Sequence, residues 1–124
     1  MDDCIFCKIV NGEVPAEKVY EDDNFVGILD IHPEMKGHTL VIPKKHFKTL
    51  LDTPNSLGNE YLEAIKKISL KLIENEGAEG FNVVFNNYEV AQQEVPHVHA
   101  HILPRKENDG VKVKTVGGLR DKKN

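Results

Sequence analysis

Residues 97–103, His-Val-His-Ala-His-Ile-Leu, constrain this chain more than any other segment. Side chains alternate across a β-strand, so a strand here sets His97, His99 and His101 on one face and Val98, Ala100 and Ile102 on the other. The apolar face belongs to a core, and the opposite face is a row of imidazoles. Half of the six histidines fall on this one ladder, a grouping too regular for a solvent-facing strand side that is His-rich by accident. A structural metal site and a catalytic centre are the two chemistries such a row serves, and catalysis is the better fit. Neutral imidazole is nucleophilic near neutral pH and can carry a phosphoryl group. A neighbouring imidazole that keeps its proton can donate to a phosphate oxygen in a water-poor site. The middle ring has a companion on each side, which makes His99 the natural nucleophile.

The rest of the chain supplies a sheet for that strand. Residues 4–11 read as a short helix stopped by Gly12, with Pro15 just beyond. Val19-Tyr20 and Phe25–Leu29 flank Asp22-Asp23-Asn24, a hairpin signal. His38–Pro43, Phe81–Asn86 and Val95–Leu103 read as further strands, the last halted by Pro104 and separated from its predecessor by a polar loop, Tyr88–Glu94. Leu57, Tyr61, Ile65, Ile68 and Leu72 recur at helical spacing, so Leu57 to about Glu76 reads as the long helix, stopped by Gly77. The pattern predicts an α+β fold: a mainly antiparallel sheet of about five strands, one long helix and a short N-terminal helix.

A chain of 124 residues is one domain by length and can bury a self-supporting core. No apolar run approaches the roughly 20 residues of a membrane span. The start, Met1-Asp2-Asp3, is acidic and lacks the basic segment of a secretory signal, so a cytoplasmic location is expected. A net charge of −4 disfavours general polyanion binding, and no specific nucleic acid is expected. The charge is uneven: seven Lys/Arg against three Asp/Glu lie between Arg105 and Asn124, so residues 106–124 read as a basic C-terminal tail.

Cys4 and Cys7 do not make a secreted disulfide framework. At i and i+3 on the short helix they share a face and read as a redox pair, as half of a metal site or as two buried thiols. The redox motif usually follows a strand, and none precedes Cys4.

The His-x-His-x-His string followed by apolar residues resembles the histidine triad signature. In order, Cys4-Ile5-Phe6-Cys7-Lys8-Ile9, Leu29-Asp30-Ile31-His32-Pro33, Gly37-His38-Thr39-Leu40-Val41-Ile42-Pro43-Lys44-Lys45-His46 and Asn86-Asn87 resemble it too, so the likeness runs from about residue 4 to residue 105. The branch it is similar to is the small nucleotide-binding one, whose members cleave nucleoside phosphoramidates and dinucleoside polyphosphates. The resemblance implies that His99 attacks, giving a nucleotidyl-histidine that water resolves, while His101 donates to the phosphate and His38 helps orient the catalytic imidazole. It implies that Asp30 binds the ribose hydroxyls and Ile31 lines the base pocket. Asn86, Gln93, Glu94 and Val95 fall where the family contacts phosphate and leaving group. It also points to His46 and His97 as the ligands that join Cys4 and Cys7 around a structural zinc ion, and to a homodimer with sheets joined edge to edge. His32 has no assigned role.

Four positions depart from the family pattern. Gln92 and Tyr88 stand where glycine is common, and a side chain there crowds the backbone approach glycine permits. Pro96 replaces an aromatic residue and has no N–H to give a sheet. Glu94 replaces a hydroxyl, and a carboxylate repels phosphate unless it is protonated or turned away. The leading reading is a nucleotidyl hydrolase acting on a purine nucleotide. The alternatives are a non-catalytic purine-nucleotide-binding module and a hydrolase in which His97, His99 and His101 all ligate one zinc.

Overall fold

The computed structural model describes residues 3–112. The sheet grows from the Asp22 turn outward. Asp22 Oδ1 accepts the N–H groups of Asn24 and Phe25 at 2.9 and 2.7 Å, closing the hairpin between β1 (Lys18–Glu21) and β2 (Phe25–Leu29). An Asp side chain caps such a turn in place of a backbone partner. Next come β3 (Thr39–Pro43), β4 (Gly80–Phe85) and β5 (Ala100–Arg105). The order across the sheet is β1-β2-β3-β5-β4, and every pairing is antiparallel. The last strand in sequence therefore lies inside the sheet, between β3 and β4.

Two helices cover opposite faces. The short α1 (Ile5–Val10) is capped by Cys4, whose Sγ accepts the Cys7 N–H at 3.3 Å. The long α2 (Gly58–Glu76) ends at Gly77, which takes the left-handed φ of 72° that glycine adopts without strain. One core, under α2, joins Phe25, Val41, Ala100 and Ile102 of the sheet to Tyr61, Ala64, Ile68 and Leu72. The other, under α1, joins Val26, Ile28, Leu40 and Ile42 to Cys4, Phe6 and Ile9. Both faces of β2 and β3 are thus buried, which accounts for their nearly continuous apolar sequences. Gly27 lets α2 lie close, because a Cβ there would meet Ile68 Cδ1 at 2.7 Å. Among the described residues no helix is long and apolar enough to cross a membrane.

The fold is the α+β arrangement that the sequence pattern predicts, with two corrections around the histidine segment. The expected strand Val95–Leu103 starts only at Ala100. Pro96 has no N–H to pair, and the His97 N–H closes a tight turn onto the Val95 carbonyl at 2.8 Å. At the other end Pro104 does not halt the strand. It lies beyond the β3 pairing, with only β4 beside it, a setting that tolerates a missing N–H. The Val113–Asn124 part of the expected basic tail lies outside the described residues. Ahead of it, the Arg105 guanidinium binds the Asp109 carboxylate, Asn82 Oδ1 and the Val111 carbonyl at 2.9–3.2 Å.

Candidate active site and metal centre

The site forms on the α1 side of the sheet. Register sets His101 beside Leu40 on that face, and His99 enters β5 just ahead of Ala100. Because α1 has only six residues, it covers only part of the face. Its Phe6 ring stands edge-on to two imidazoles, with centroids 5.8 Å from His97 and 5.0 Å from His99.

Three histidines have their tautomers fixed by backbone groups whose roles cannot change. His99 Nδ1 lies 2.8 Å from the His97 carbonyl, which can only accept. His99 therefore carries its proton on Nδ1, and its Nε2 lone pair is free. His38 Nδ1 receives the Glu34 N–H at 3.1 Å, so its proton sits on Nε2 and is donated to His101 Nδ1 at 3.0 Å. That leaves His101 protonated on Nε2. The two adjacent rings, 4.9 Å apart between centroids, thus present opposite functions: a lone pair on His99 and an N–H on His101. The Asp30 carboxylate stands 3.5 Å from His38 Nε2 and also caps the following turn through the His32 N–H at 2.9 Å.

Burial keeps these rings neutral. It pushes His101 down to about 4, helped by the neighbouring His99 and His38. It also lowers His38 and His99, against the opposing pull of Asp30 on both. A neutral nucleophile is the form that attacks.

His97 turns the other way. Its Nε2–H donates to the Pro43 carbonyl at 2.8 Å, so Nδ1 offers a lone pair to the cluster of Cys4, Cys7 and His46. Burial drives this imidazole down to about 4. His97 Nδ1 is 3.2 Å from Cys4 Sγ, 3.5 Å from Cys7 Sγ and 3.2 Å from His46 Nδ1, and Cys7 Sγ is 3.4 Å from His46 Nδ1. A tetrahedron with zinc–sulfur bonds of about 2.3 Å and zinc–nitrogen bonds of about 2.0 Å has edges of roughly 3.3–3.8 Å. The donor set and its spacing fit that ion. Burial pushes the Cys7 thiol up to about 11, with the Cys4 hydrogen bond and charge adding to the rise. Metal binding here therefore has to displace thiol protons. Asp30, His38 and His101 form the other metal-type cluster among the described residues, but the Glu34 N–H keeps the His38 proton on Nε2, where a ligand lone pair would be needed. His97 sits with the cysteines and His101 with His38, so the three triad histidines do not share one metal centre.

The remaining sequence candidates are distributed around this frame. Ile31, next to Asp30 in the chain, is an apolar side chain that is 84% exposed. Glu94 is exposed and close enough for its charge to act on His99. Asn86 follows Phe85, the partner of Ala100, and so leaves the sheet opposite His99. Val95 packs against the core under α1. Gln93 is buried and bonded to backbone. His32 is exposed. Phe6 was not singled out in the sequence, and its position between two cysteines is the signal that ties it to both centres. The two departures from glycine land on positive φ: Gln92 at 72°, and Tyr88 at φ 73°, ψ 154°, a region used essentially by glycine alone. Such a residue costs about 1–3 kcal/mol and persists only where its surroundings over-determine it.

This fold and this row of imidazoles define a class of small α+β domain built around histidines at the mouth of a central strand. The chain belongs to the HIT domain family, whose model matches residues 11–108. It is similar to the adenosine 5'-monophosphoramidase of Candida albicans, 44% identical over 109 residues that span 84% of this chain and 71% of the relative. It is equally similar to the adenylylsulfatase of Arabidopsis thaliana, 44% identical over 108 residues, spanning 87% of this chain and 55%, about half, of that longer protein. Among solved structures, a zinc-bound histidine triad family protein from Mycobacterium smegmatis superposes with a TM-score of 0.86 at 41% identity, covering 91% of this chain and 82% of that one.

Proposed function

We propose that this protein hydrolyses nucleoside phosphoramidates or dinucleoside polyphosphates through a covalent nucleotidyl-histidine. The observation that carries the reading is the opposed tautomer pair: a free lone pair on His99 Nε2 beside an N–H on His101 Nε2. Relatives named for cleaving adenosine phosphoramidate and adenylyl sulfate bonds support the substrate class. In the first step the His99 Nε2 lone pair forms a bond to the α-phosphorus. The bond to the leaving nitrogen or oxygen breaks, and the leaving group takes the electron pair together with a proton that solvent supplies and that the water of the second step returns. His101 donates to a phosphate oxygen as charge builds there, a stabilisation that is large in a dry site. His38 holds His101 in the donating tautomer. Water then attacks the same phosphorus, the N–P bond breaks, and nucleoside monophosphate leaves. Asp30 binds the ribose hydroxyls and Ile31 lines the base pocket, with Asn86, Glu94 and Val95 along the phosphate and leaving group.

Cys4, Cys7, His46 and His97 would hold a zinc ion. When bound, it would anchor α1 to the segment that leads into His99. A homodimer joined at a sheet edge completes the reading.

Mass spectrometry of protein quenched during turnover of an adenosine phosphoramidate tests it. A nucleotidyl adduct is expected on the peptide containing His99 and is absent from His99→Ala, which still binds AMP. Wild-type turnover by His99→Ala overturns the mechanism. Nucleotide binding with no turnover by wild-type protein would instead mark a binding module.

A further inference from the structure

Gln93 is the most completely engaged polar side chain around the histidine segment. It is 7% exposed. Its Nε2 donates to the Lys48 carbonyl at 2.6 Å and to the Val95 carbonyl at 3.0 Å, while Oε1 accepts the Tyr88 N–H at 2.6 Å. Both amide donors are therefore spent on backbone, and neither is left for a nucleotide.

The three partners lie on three different stretches of chain, each of which leads to His99. Val95 begins the turn into His97. Phe47, the neighbour of Lys48, accepts the Val98 N–H at 2.7 Å, one residue ahead of His99. Tyr88 lies two residues beyond Asn86, which stands opposite His99 in the sheet register. Tyr88 is also the residue whose backbone most needs holding. Its N–H goes to the Gln93 side chain, and its carbonyl accepts the N–H groups of Ala91 and Gln93 at 3.0 and 3.1 Å. Gln93 thus grips the strained residue from both side chain and backbone, at the glycine-type φ of 73° and ψ of 154°.

We propose that Gln93 is a positioning residue for the nucleotidyl transfer, fixing the path of residues 95–99 by tying Tyr88, Lys48 and Val95 together rather than by touching the nucleotide. The inference rests on the hydrolase reading above. It accounts for the residue type. A primary amide of this length offers two donors and one acceptor, whereas a carboxylate sets negative oxygen against two carbonyls and an aliphatic chain leaves all three backbone groups without a partner. Nucleophile and phosphorus react only when held in near-attack geometry, so a small displacement of residues 95–99 lowers the rate of bond formation while ribose and base contacts remain.

The test compares Gln93→Leu, Gln93→Glu and the double variant Tyr88→Gly/Gln93→Leu with wild-type protein, on an adenosine phosphoramidate and in calorimetric binding of AMP. Each single variant is expected to lose about ten-fold or more in kcat, with the AMP Kd within roughly two-fold of wild type. Adding Tyr88→Gly removes the need to hold a side chain on glycine-type backbone and is expected to restore a large part of the lost kcat. The His99 ring resonance, read by NMR without turnover, is expected to shift in Gln93→Leu and to return toward wild type in the double variant. Should Gln93→Leu fail to fold, Gln93→Glu is judged by the same kcat, Kd and ring-resonance criteria. A Kd that weakens as far as kcat falls makes Gln93 a nucleotide contact and overturns the proposal. So do kcat and ring resonances that Gln93 substitution leaves untouched. An inert wild-type protein counts against the hydrolase reading, while the ring resonance still decides on Gln93.

Discussion

At the scale of single residues, function here depends on which ring nitrogen carries each proton. The sequence shows three histidines at period two, which is enough to nominate His99, but tautomers depend on carbonyls and N–H groups that no spacing reveals. The Glu34 N–H on His38, the Pro43 carbonyl on His97 and the His97 carbonyl on His99 are all backbone groups, brought to the rings by the fold and not by any spacing of side chains. Asp30 illustrates the same limit. Its place before Ile31 is legible, but its double engagement is not, one oxygen capping a turn and the other facing His38. If Asp30 also accepts from the ribose hydroxyls, Asp30→Asn preserves an acceptor for the turn and removes the charge that the sugar meets. AMP binding is then expected to weaken by roughly 1.5–3 kcal/mol, the range for hydrogen bonds to charged groups. Calorimetry with AMP and its 2'-deoxy form checks this. The wild-type preference for the ribose form should shrink in the variant, and equal affinity of wild-type protein for the two nucleotides would remove Asp30 from the sugar site.

At the scale of elements, the strands and helices were readable because their apolar periods are clean, and the departures occur where proline acts. The strand ladder that suggested the triad does not reach His97 or His99. A turn centred on Pro96 precedes the strand, which pairs only from Ala100, and His97 lies with the cysteines. The resulting knot ties α1 to β3 and to the start of β5, with Cys4 serving as both helix cap and donor. Elemental analysis of protein purified without chelator is expected to give about one zinc per chain. Chelation should lower the Tm, because a site assembled only in the folded state contributes its binding free energy to folding. Metal-free protein of unchanged Tm would reject the site. Titration of the opposite cluster adds a second expectation. His101 is held down to about 4, chiefly by burial, and His38 is lowered by the same cause. A base whose folded pKa lies below its unfolded value of about 6.5 binds protons better when unfolded. Its stabilising contribution is complete above about pH 6.5 and is lost as pH falls from there toward about 4. Melting curves across that window should show a falling Tm, with a shallower slope in His101→Asn. An equal slope in the variant would mean that His101 is not buried as the structure shows.

At the scale of the whole molecule, the sheet has two edges, and the β4 edge is the one left apolar. Val83 pairs with Ile102 and Phe81 with Pro104, which sets both exposed side chains on the α2 face of the sheet. There Phe81 meets Leu70 and Ile73 of α2 in a groove that also holds Glu63, Lys66 and Lys67. Phe81 is 43% exposed, Val83 40%, Leu70 54% and Ile73 40%, which is a large apolar share for one side of a small domain. Ser69 Oγ, buried beneath the same groove, has no hydrogen-bond partner among the described residues. An open strand edge with apolar neighbours invites pairing with another strand. The homodimer that the sequence resemblance implies is the occupant expected here: across a two-fold axis each β4 would run antiparallel to its counterpart. The edge position of β4 is not legible in sequence, since β4 and β5 follow one another yet β5 takes the interior place. Light scattering coupled to size exclusion is expected to give twice the chain mass for wild-type protein. Phe81→Glu puts a charge at the centre of that surface and should give the single-chain mass, with far-ultraviolet circular dichroism unchanged because the side chain lies outside both cores. A wild-type protein that remains at the single-chain mass at high concentration would leave the groove without this occupant.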